Sequence, residues 1–194
     1  MTQLPALSLA DWIVLTLIDE GPTHGFALAA LTAEHGEVGR AWHVPRPIVY
    51  RCLDRLVELG LARVESTEAG HRGPQRSLLT TTAAGRSAVA GWLHRPVAHV
   101  RDVRSELLVK LALLLRRDVA SDDLVAAQRL AFAPVQTALE EQQRTETGFG
   151  QILASWRFAN IQAAMQFLDS LSESQPAEPA GRRRPRASST TAAG

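Results

Sequence analysis

The chain has 194 residues, 45% of them hydrophobic, which is enough to bury one solid core or two small ones. Its formal net charge is +1, so any affinity for a polyanion must come from local clusters of basic residues. The single cysteine, Cys52, excludes an intramolecular disulfide and a cysteine-rich zinc site. A signal-peptide pattern and a run of about 18 apolar residues are both missing, so we expect a cytoplasmic protein without a membrane span.

Two helices are predicted at the start of the chain. Ser8 and Asp11 have the spacing of a capping box before an apolar stripe of helical period. This first helix should end at Gly21, which a proline follows. Thr23 can cap a second helix, which we expect to run to about Gly36.

A third helix and a hairpin follow. Pro45 and Pro47 suit the first turn of a helix, where a missing N–H costs nothing, and Gly60 should end that helix. Residues 61–66 and 76–80 have the composition of two short strands, joined by a polar loop that contains glycine. Three helices followed by such a hairpin predict a winged helix-turn-helix.

The rest of the chain is predicted to be helical. Thr82 can cap a fourth helix, and residues 102–117 repeat leucines on one helical face. Pro134 lies inside the next helical pattern, so we expect a kink or break near Ala133. A last helix should span residues 149–171.

These elements predict a mainly α fold with an N-terminal winged helix-turn-helix, a two-stranded β wing and a C-terminal helical region. The predicted boundaries are 1–96 for the winged domain and 97–173 for the helical domain. Residues 174–194 offer almost nothing apolar to bury, so we expect a disordered tail. Its RRRPR run, residues 182–186, either adds attraction to phosphates without sequence preference or is a solubilising terminus, and we prefer the second interpretation.

Three stretches point to a known family. They are LTLIDEGPTHGFAL at 15–28, VPRPIVYRCLDRLVELGLA at 44–62 and GPQRSLLTTTAAGR at 73–86. Over about residues 7–171 the chain resembles the PadR family of bacterial transcriptional regulators. Pro45, Pro47 and Leu79 depart from the residues that the family more often has there. The resemblance implies a winged-helix domain that binds double-stranded DNA and a helical region that forms a homodimer.

The third helix is the expected DNA-reading element. Arg51 and Arg55 lie one turn apart and opposite the apolar stripe, and an arginine fork can bind guanine or phosphate with two hydrogen bonds. The alternative is a solvated helix face on which Arg55 pairs with Asp54 or Glu58. Tyr50 is either a phosphate donor or a core residue, and the wing loop is either a DNA contact or merely solvated. The predicted DNA-binding residues are Thr23, Arg46, Tyr50, Arg51, Arg55, His71, Arg72 and Arg76.

The resemblance also implies a partner surface and a ligand. A two-fold dimer would place two reading helices in successive major grooves, so the operator should be pseudo-palindromic. A dimer bound there would block the polymerase, so we expect the regulator to be a repressor. The predicted dimer residues are Leu107, Leu111, Leu114, Ile152, Trp156, Ala163 and Phe167. Trp12, Trp92 and Trp156 are either core residues or the lining of a pocket for a small aromatic effector.

The sequence also bears on two other classes of function, an enzyme and a protein-interaction module. The sequence has no metal-binding, phosphate-loop or nucleophile motif, so we expect no catalytic residue, no metal and no cofactor. Cys52 is interpreted as a packing residue of the third helix. A winged-helix module that binds proteins instead of specific DNA remains the alternative, because the net charge is near neutral.

Overall fold

The computed structural model describes residues 6–68 and 76–173. The predicted capping box is present at the start of the first helix. The backbone N–H of Asp11 donates to Ser8 Oγ (3.2 Å), and the backbone N–H of Ser8 donates to the Asp11 carboxylate (2.9 Å). These bonds satisfy amides that a helix start leaves free, and α1 (Leu9–Asp19) follows. Residues 13–18 of α1 are all buried, so this helix forms the centre of the N-terminal core.

The segment after α1 is a short strand rather than a helix start. β1 (Thr23–His24) pairs antiparallel with a later strand, where Thr23 lies opposite Leu79. α2 (Gly25–Leu31) therefore begins two residues later than expected and is only seven residues long. The prediction that Thr23 caps this helix is wrong, because sheet pairing holds its backbone in an extended conformation.

The third helix agrees closely with its prediction. α3 (Arg46–Glu58) has Pro45 at its N-cap and Pro47 in its first turn. Gly60 adopts φ +67°, a left-handed conformation that favours glycine and ends the helix. Val49, Leu53 and other apolar residues of α3 face the core.

The wing is part of a sheet with three strands. β2 (Ala62–Glu68) and β3 (Arg76–Thr81) form the hairpin, and β1 adds to the other edge of β3, giving the order β1-β3-β2. The register is irregular between Val64 and Ser66. The predicted wing had two strands, because a strand of two residues has no pattern of its own.

A capped helix leads from the wing to the C-terminal region. Thr82 caps α4 (Ala83–Leu93) as predicted, since its hydroxyl accepts the backbone N–H of Gly85 at 3.1 Å. A 3₁₀ turn (Val100–Asp102) and a π-helical turn (Val103–Leu107) then precede α5 (Leu108–Arg116). The stretch predicted as one regular helix is thus three segments with different hydrogen-bond spacing.

Two long helices complete the described chain. α6 (Asp122–Thr145) and α7 (Gly148–Glu173) pack along each other as a helical hairpin, with Gly148 at φ +58°. The sequence predicted a kink or a break near Ala133, and of these the break is wrong, because α6 runs on through Pro134. Because Pro134 has no backbone N–H, the carbonyl oxygen of Leu130 has no helical hydrogen-bond donor. Both residues are exposed on α6, so water can bind that carbonyl oxygen.

The hydrophobic core continues from the winged part into the helical hairpin. One cluster of buried residues includes Ile13 of α1, Leu56 of α3, Leu113 of α5 and Leu168 of α7. The predicted mainly α winged-helix fold is therefore confirmed, with one more strand than expected. Within residues 6–68 and 76–173, no helix is long and apolar enough to cross a membrane.

Candidate nucleic-acid interface

α3 has one buried side and one exposed side. The buried side is apolar, whereas the exposed side is polar and aromatic. Its buried residues are Val49, Cys52, Leu53 and Leu56. Its exposed residues include Arg46, Tyr50, Arg51, Asp54 and Glu58. Basic, aromatic and acidic side chains are thus exposed on the outer side of the helix that follows the turn.

The turn between α2 and α3 depends on a close approach at Gly25. A Cβ at this position would lie 2.8 Å from Cε1 of Tyr50 and 3.1 Å from Cδ1 of Leu53. Only a residue without a side chain lets the start of α2 meet the third helix so closely. His24 Nδ1 also lies 3.2 Å from the carbonyl oxygen of Ser77 in β3. The His24-Gly25 pair therefore contributes to the packing of this turn against α3 and β3.

An aromatic pair surrounds Arg46 at the start of α3. The Arg46 guanidinium carbon lies 5.7 Å from the centroid of the Phe26 ring and 5.7 Å from that of Tyr50. These distances are within the range of cation–π attraction. Phe26 was not among the predicted site residues, since its exposure on α2 becomes visible only once α2 is placed against α3.

The two arginines expected to act together have different environments. Arg51 is exposed, and no ion pair involving it is recorded in the described part of the chain. Arg55 donates from Nη1 to the Asp11 carboxylate at 2.8 Å and from Nη2 to the carbonyl oxygen of Ala6 at 3.0 Å. The Arg55 side chain is 43% exposed and that of Asp11 only 3%. Arg55 therefore joins α3 to the start of α1, a partner that neither sequence interpretation included.

Cys52 lies beside this ion pair on the inner side of α3. The pKa of the Cys52 thiol is raised from 9.0 to about 12, mainly because the thiol is buried and secondly because of its hydrogen bond to Asp11. A thiol with so high a pKa is protonated at neutral pH and is a poor nucleophile. The interpretation of Cys52 as a packing residue fits this environment.

The other predicted DNA-binding residues lie around the wing. Thr23 is in β1, on the edge of β3 away from β2. Arg76 is the first residue of β3, and its side chain is outside the described part. His71 and Arg72 lie outside the described residues altogether. The structure thus groups Arg46, Tyr50 and Arg51 on α3 and leaves the wing tip as a prediction.

Two of the three predicted effector-binding tryptophans meet. Trp12 and Trp92 stack with their ring centroids 5.2 Å apart and their planes at 2°. Trp92 Nε1 donates to Glu106 (3.0 Å), and the same carboxylate pairs with Lys110 (2.6 Å). Trp156 is exposed on α7, and the described structure records no ring contact between it and this pair.

Lys110 is the buried cation of this cluster and was not predicted to matter. Its ammonium group donates to the carbonyl oxygen of Arg95 (2.7 Å) and lies 4.9 Å from the centroid of Trp92. Burial lowers the pKa of Lys110, while the neighbouring Glu106 opposes that shift. A leucine-rich helical pattern contains no signal that would have placed this lysine in the core.

The predicted dimer residues fall into three groups. Leu107 and Leu114 are buried in the core of the single chain, so a folded protomer has no surface of these residues left for a partner. Leu111 and Phe167 are half-buried. The remaining three belong to an exposed apolar stripe on α7, one to two turns apart, which consists of Phe149, Ile152, Trp156, Ala159 and Ala163.

The arrangement of α1 to α4 with the wing defines a winged helix-turn-helix of the kind that transcription regulators carry. The model of the transcriptional regulator PadR-like family matches residues 14–91. Residues 14–91 are therefore a PadR-like domain, as the resemblance in the sequence predicted. No curated protein sequence matches the chain.

Several solved structures resemble the chain at low sequence identity. Bacillus subtilis PadR in complex with operator DNA is 19% identical, with a TM-score of 0.45, over 86% of this chain and 99% of that one. The smu.1604c protein of Streptococcus mutans UA159 is 13% identical, with a TM-score of 0.41, over 84% and 98%. Bacillus subtilis PadR in complex with p-coumaric acid is 18% identical, with a TM-score of 0.38, over 87% and 98%.

Proposed function

We propose that this PadR-like transcription regulator is a repressor that binds a pseudo-palindromic operator as a homodimer. The observation that carries the proposal is the exposed face of α3, where Arg46, Tyr50 and Arg51 stand clear of the core. Arginine forks match guanine and phosphate, and a tyrosine hydroxyl can donate to a phosphate. We propose a cytoplasmic location as well, because a protein that binds an operator must be in the compartment that holds the bacterial chromosome.

Arg55 has a supporting part in this proposal rather than a reading part. Its guanidinium group already donates to Asp11 and to the carbonyl oxygen of Ala6. Using it to read a base would leave the buried Asp11 carboxylate without its cation, which carries a free-energy cost. The base contacts therefore fall to Arg46 and Arg51, and the phosphate contacts to Tyr50 and the wing.

The homodimer is proposed to form through the apolar stripe on α7. Trp156 is 64% exposed and Phe149 76%, although both are large and apolar. Apolar residues repeated along one exposed helix face favour association with another helix, and a second copy of the chain supplies the same stripe. Leu107 and Leu114 are left out of this interface because they are buried.

We also propose a small aromatic effector that binds at the stacked pair of Trp12 and Trp92. Trp12 is only partly buried, so a flat ligand can reach its ring, and the pair joins α1 to α4. A ligand that separates the rings would alter the packing between these helices and favour a state with lower operator affinity. Phenolic acids, such as the p-coumaric acid in the Bacillus subtilis structure, are the probes. Unchanged operator affinity across these acids would remove the support for an effector.

The experiment is a fluorescence anisotropy titration of DNA from upstream of the protein's own gene, at several salt concentrations. Wild-type protein should prefer this DNA to a scrambled duplex. Arg51→Ala should weaken specific binding by about 1 to 3 kcal/mol. Arg101→Ala is the matched control, since Arg101 is 77% exposed but lies in the 3₁₀ turn before α5, and it should bind like the wild type.

Two results would contradict the proposal. Equal affinity for the upstream and scrambled duplexes would favour the protein-interaction module instead. Equal losses in Arg51→Ala and Arg101→Ala would show that α3 contributes only charge. Light scattering on Trp156→Asp tests the dimer separately, and a wild-type chain that is already monomeric would remove the proposed two-fold operator.

A further inference from the structure

Phe26, Arg46 and Tyr50 form a compact group, here termed the arginine clamp. Phe26 is 65% exposed and Tyr50 is 40% exposed, so the clamp lies at the surface. The guanidinium carbon of Arg46 lies 5.7 Å from both ring centroids. Two rings contributed by different helices thus hold one cation on the exposed side of the helix-turn-helix.

The backbone on both sides of Arg46 is restricted as well. Arg46 is the first residue of α3, between Pro45 at the N-cap and Pro47 in the first turn. Each proline ring fixes its own φ, so the start of the helix has few alternative conformations. A side chain held by two rings on such a backbone has lost much of its freedom before any ligand arrives, and this lowers the entropic cost of binding.

We propose that the arginine clamp reads one guanine in each operator half-site, with Arg46 as the reader and Phe26 as the residue that positions it. This inference rests on the proposed DNA-binding function and goes beyond it by naming a base and a positioning residue. Arg46 donates to O6 and N7 of the guanine in the major groove. Phe26 makes no hydrogen bond of its own and acts by holding the guanidinium plane.

Guanine is favoured over a phosphate because of where the clamp lies. The N-terminal residues of a recognition helix meet base edges, and Arg46 is the first residue of α3. Cation–π contacts use the planar surface of the guanidinium group and leave its N–H edges free for an acceptor. The described structure records no carboxylate paired with Arg46, in contrast to Arg55 with Asp11.

The test is selection of binding sites from a random duplex pool by full-length wild type, Arg46→Lys, Arg46→Ala and Phe26→Leu. Wild type should select a guanine at one fixed position of each half-site. Arg46→Lys keeps the charge but not the fork, so discrimination at that position should fall about 10- to 100-fold. Phe26→Leu should lower discrimination at the same position about 2- to 5-fold and leave the other positions unchanged.

A double variant separates positioning from a merely structural effect. If Phe26 acts through Arg46, then Phe26→Leu should change nothing further in the Arg46→Ala background. Trp42→Leu is the matched control, because Trp42 is an exposed aromatic residue before α3 for which the described structure records no cation contact. Its base profile should equal that of the wild type. Urea unfolding of each variant checks that the fold is retained.

Each outcome supports or overturns the inference. A wild-type pool without any selected sequence would refute the proposed DNA-binding function and the clamp with it. A selected site whose guanine preference is intact in Arg46→Lys would refute the clamp alone. Equal effects of Phe26→Leu in the presence and absence of Arg46 would show that Phe26 does not position the arginine.

Discussion

The ion pair between Arg55 and Asp11 allows a sharp prediction about the recognition helix. Arg55→Met keeps the apolar stem of the side chain but removes the guanidinium group. It deletes donors at 2.8 Å from the Asp11 carboxylate and 3.0 Å from the Ala6 carbonyl oxygen. Asp11 retains its bonds to the N–H and hydroxyl of Ser8, so the carboxylate is not left without partners.

The free energy of unfolding lost in Arg55→Met should lie between the values for a buried ion pair and a surface ion pair. A hydrogen bond to a charged group contributes about 1.5 to 3 kcal/mol, and an exposed ion pair about 0 to 1 kcal/mol. Asp11 is 3% exposed and Arg55 is 43% exposed, so solvent screens one side of the interaction. We expect Arg55→Met to lower the free energy of unfolding by about 1 to 2 kcal/mol.

Urea unfolding measures this loss, with Arg51→Met as the matched control on the same helix. Arg51 is exposed and unpaired within the described residues, so its replacement should change the free energy of unfolding by less than about 0.5 kcal/mol. A double-mutant cycle with Asp11→Asn should give a coupling energy of about 1 kcal/mol. Equal stability of Arg55→Met and Arg51→Met, together with equal losses of operator affinity, would refute the structural role of Arg55.

Three further predictions concern the packing around this helix. Gly25→Ala should cost about 1 to 3 kcal/mol of unfolding free energy, because the new Cβ would lie 2.8 Å from the Tyr50 ring; Gly91→Ala, with nothing within 4 Å, should cost nothing. Cys52 should have about 1,000-fold less thiolate than an ordinary thiol at pH 8, since its pKa is raised from 9.0 to about 12. A thiol reagent should therefore label it only after unfolding, and rapid labelling of folded protein would contradict this. Lys110→Met should change the unfolding free energy by less than about 1 kcal/mol, because it removes the desolvation cost of the buried ammonium group while Glu106, 35% exposed, keeps solvent and the Trp92 N–H as partners. A loss above about 3 kcal/mol would show that the cation holds the core together.

The features that the sequence predicted well are those with a local cause. The capping box needs Ser8 and Asp11 three residues apart, and the start of α3 needs only its prolines. Thr82 likewise caps a helix with an amide three residues away. Such contacts repeat at fixed spacing, so a pattern in the sequence is enough to find them.

The features that the sequence did not predict depend on distant partners. β1 exists because Thr23 pairs with Leu79, and a two-residue strand has no periodicity. Arg55 meets Asp11 across 44 positions of sequence, and a helical wheel of α3 alone does not include that partner. Pro134 was expected to kink or break α6, but the helix continues through it, since the exposed setting of its helix face makes the missing hydrogen bond tolerable.

The candidate site also combines features that a local pattern predicts with features that depend on distant partners. The helical wheel placed Arg51 away from the apolar stripe, and the structure shows that Arg46 and Tyr50 are exposed on the same helix. The ring of Phe26 joins this site only through the crossing of α2 and α3 at Gly25. Side-chain groupings between helices follow from tertiary packing, which one sequence does not encode in any short window.

Dimethyl sulfate protection of the guanine N7 atoms in the bound operator reports whether α3 enters the major groove. This reagent modifies N7 from the major groove, where α3 is proposed to lie. We predict two protected patches on one face of the duplex, with centres about 10 bp or a multiple of it apart. Full binding with every guanine N7 still reactive would contradict the account, because it would place α3 outside the major groove.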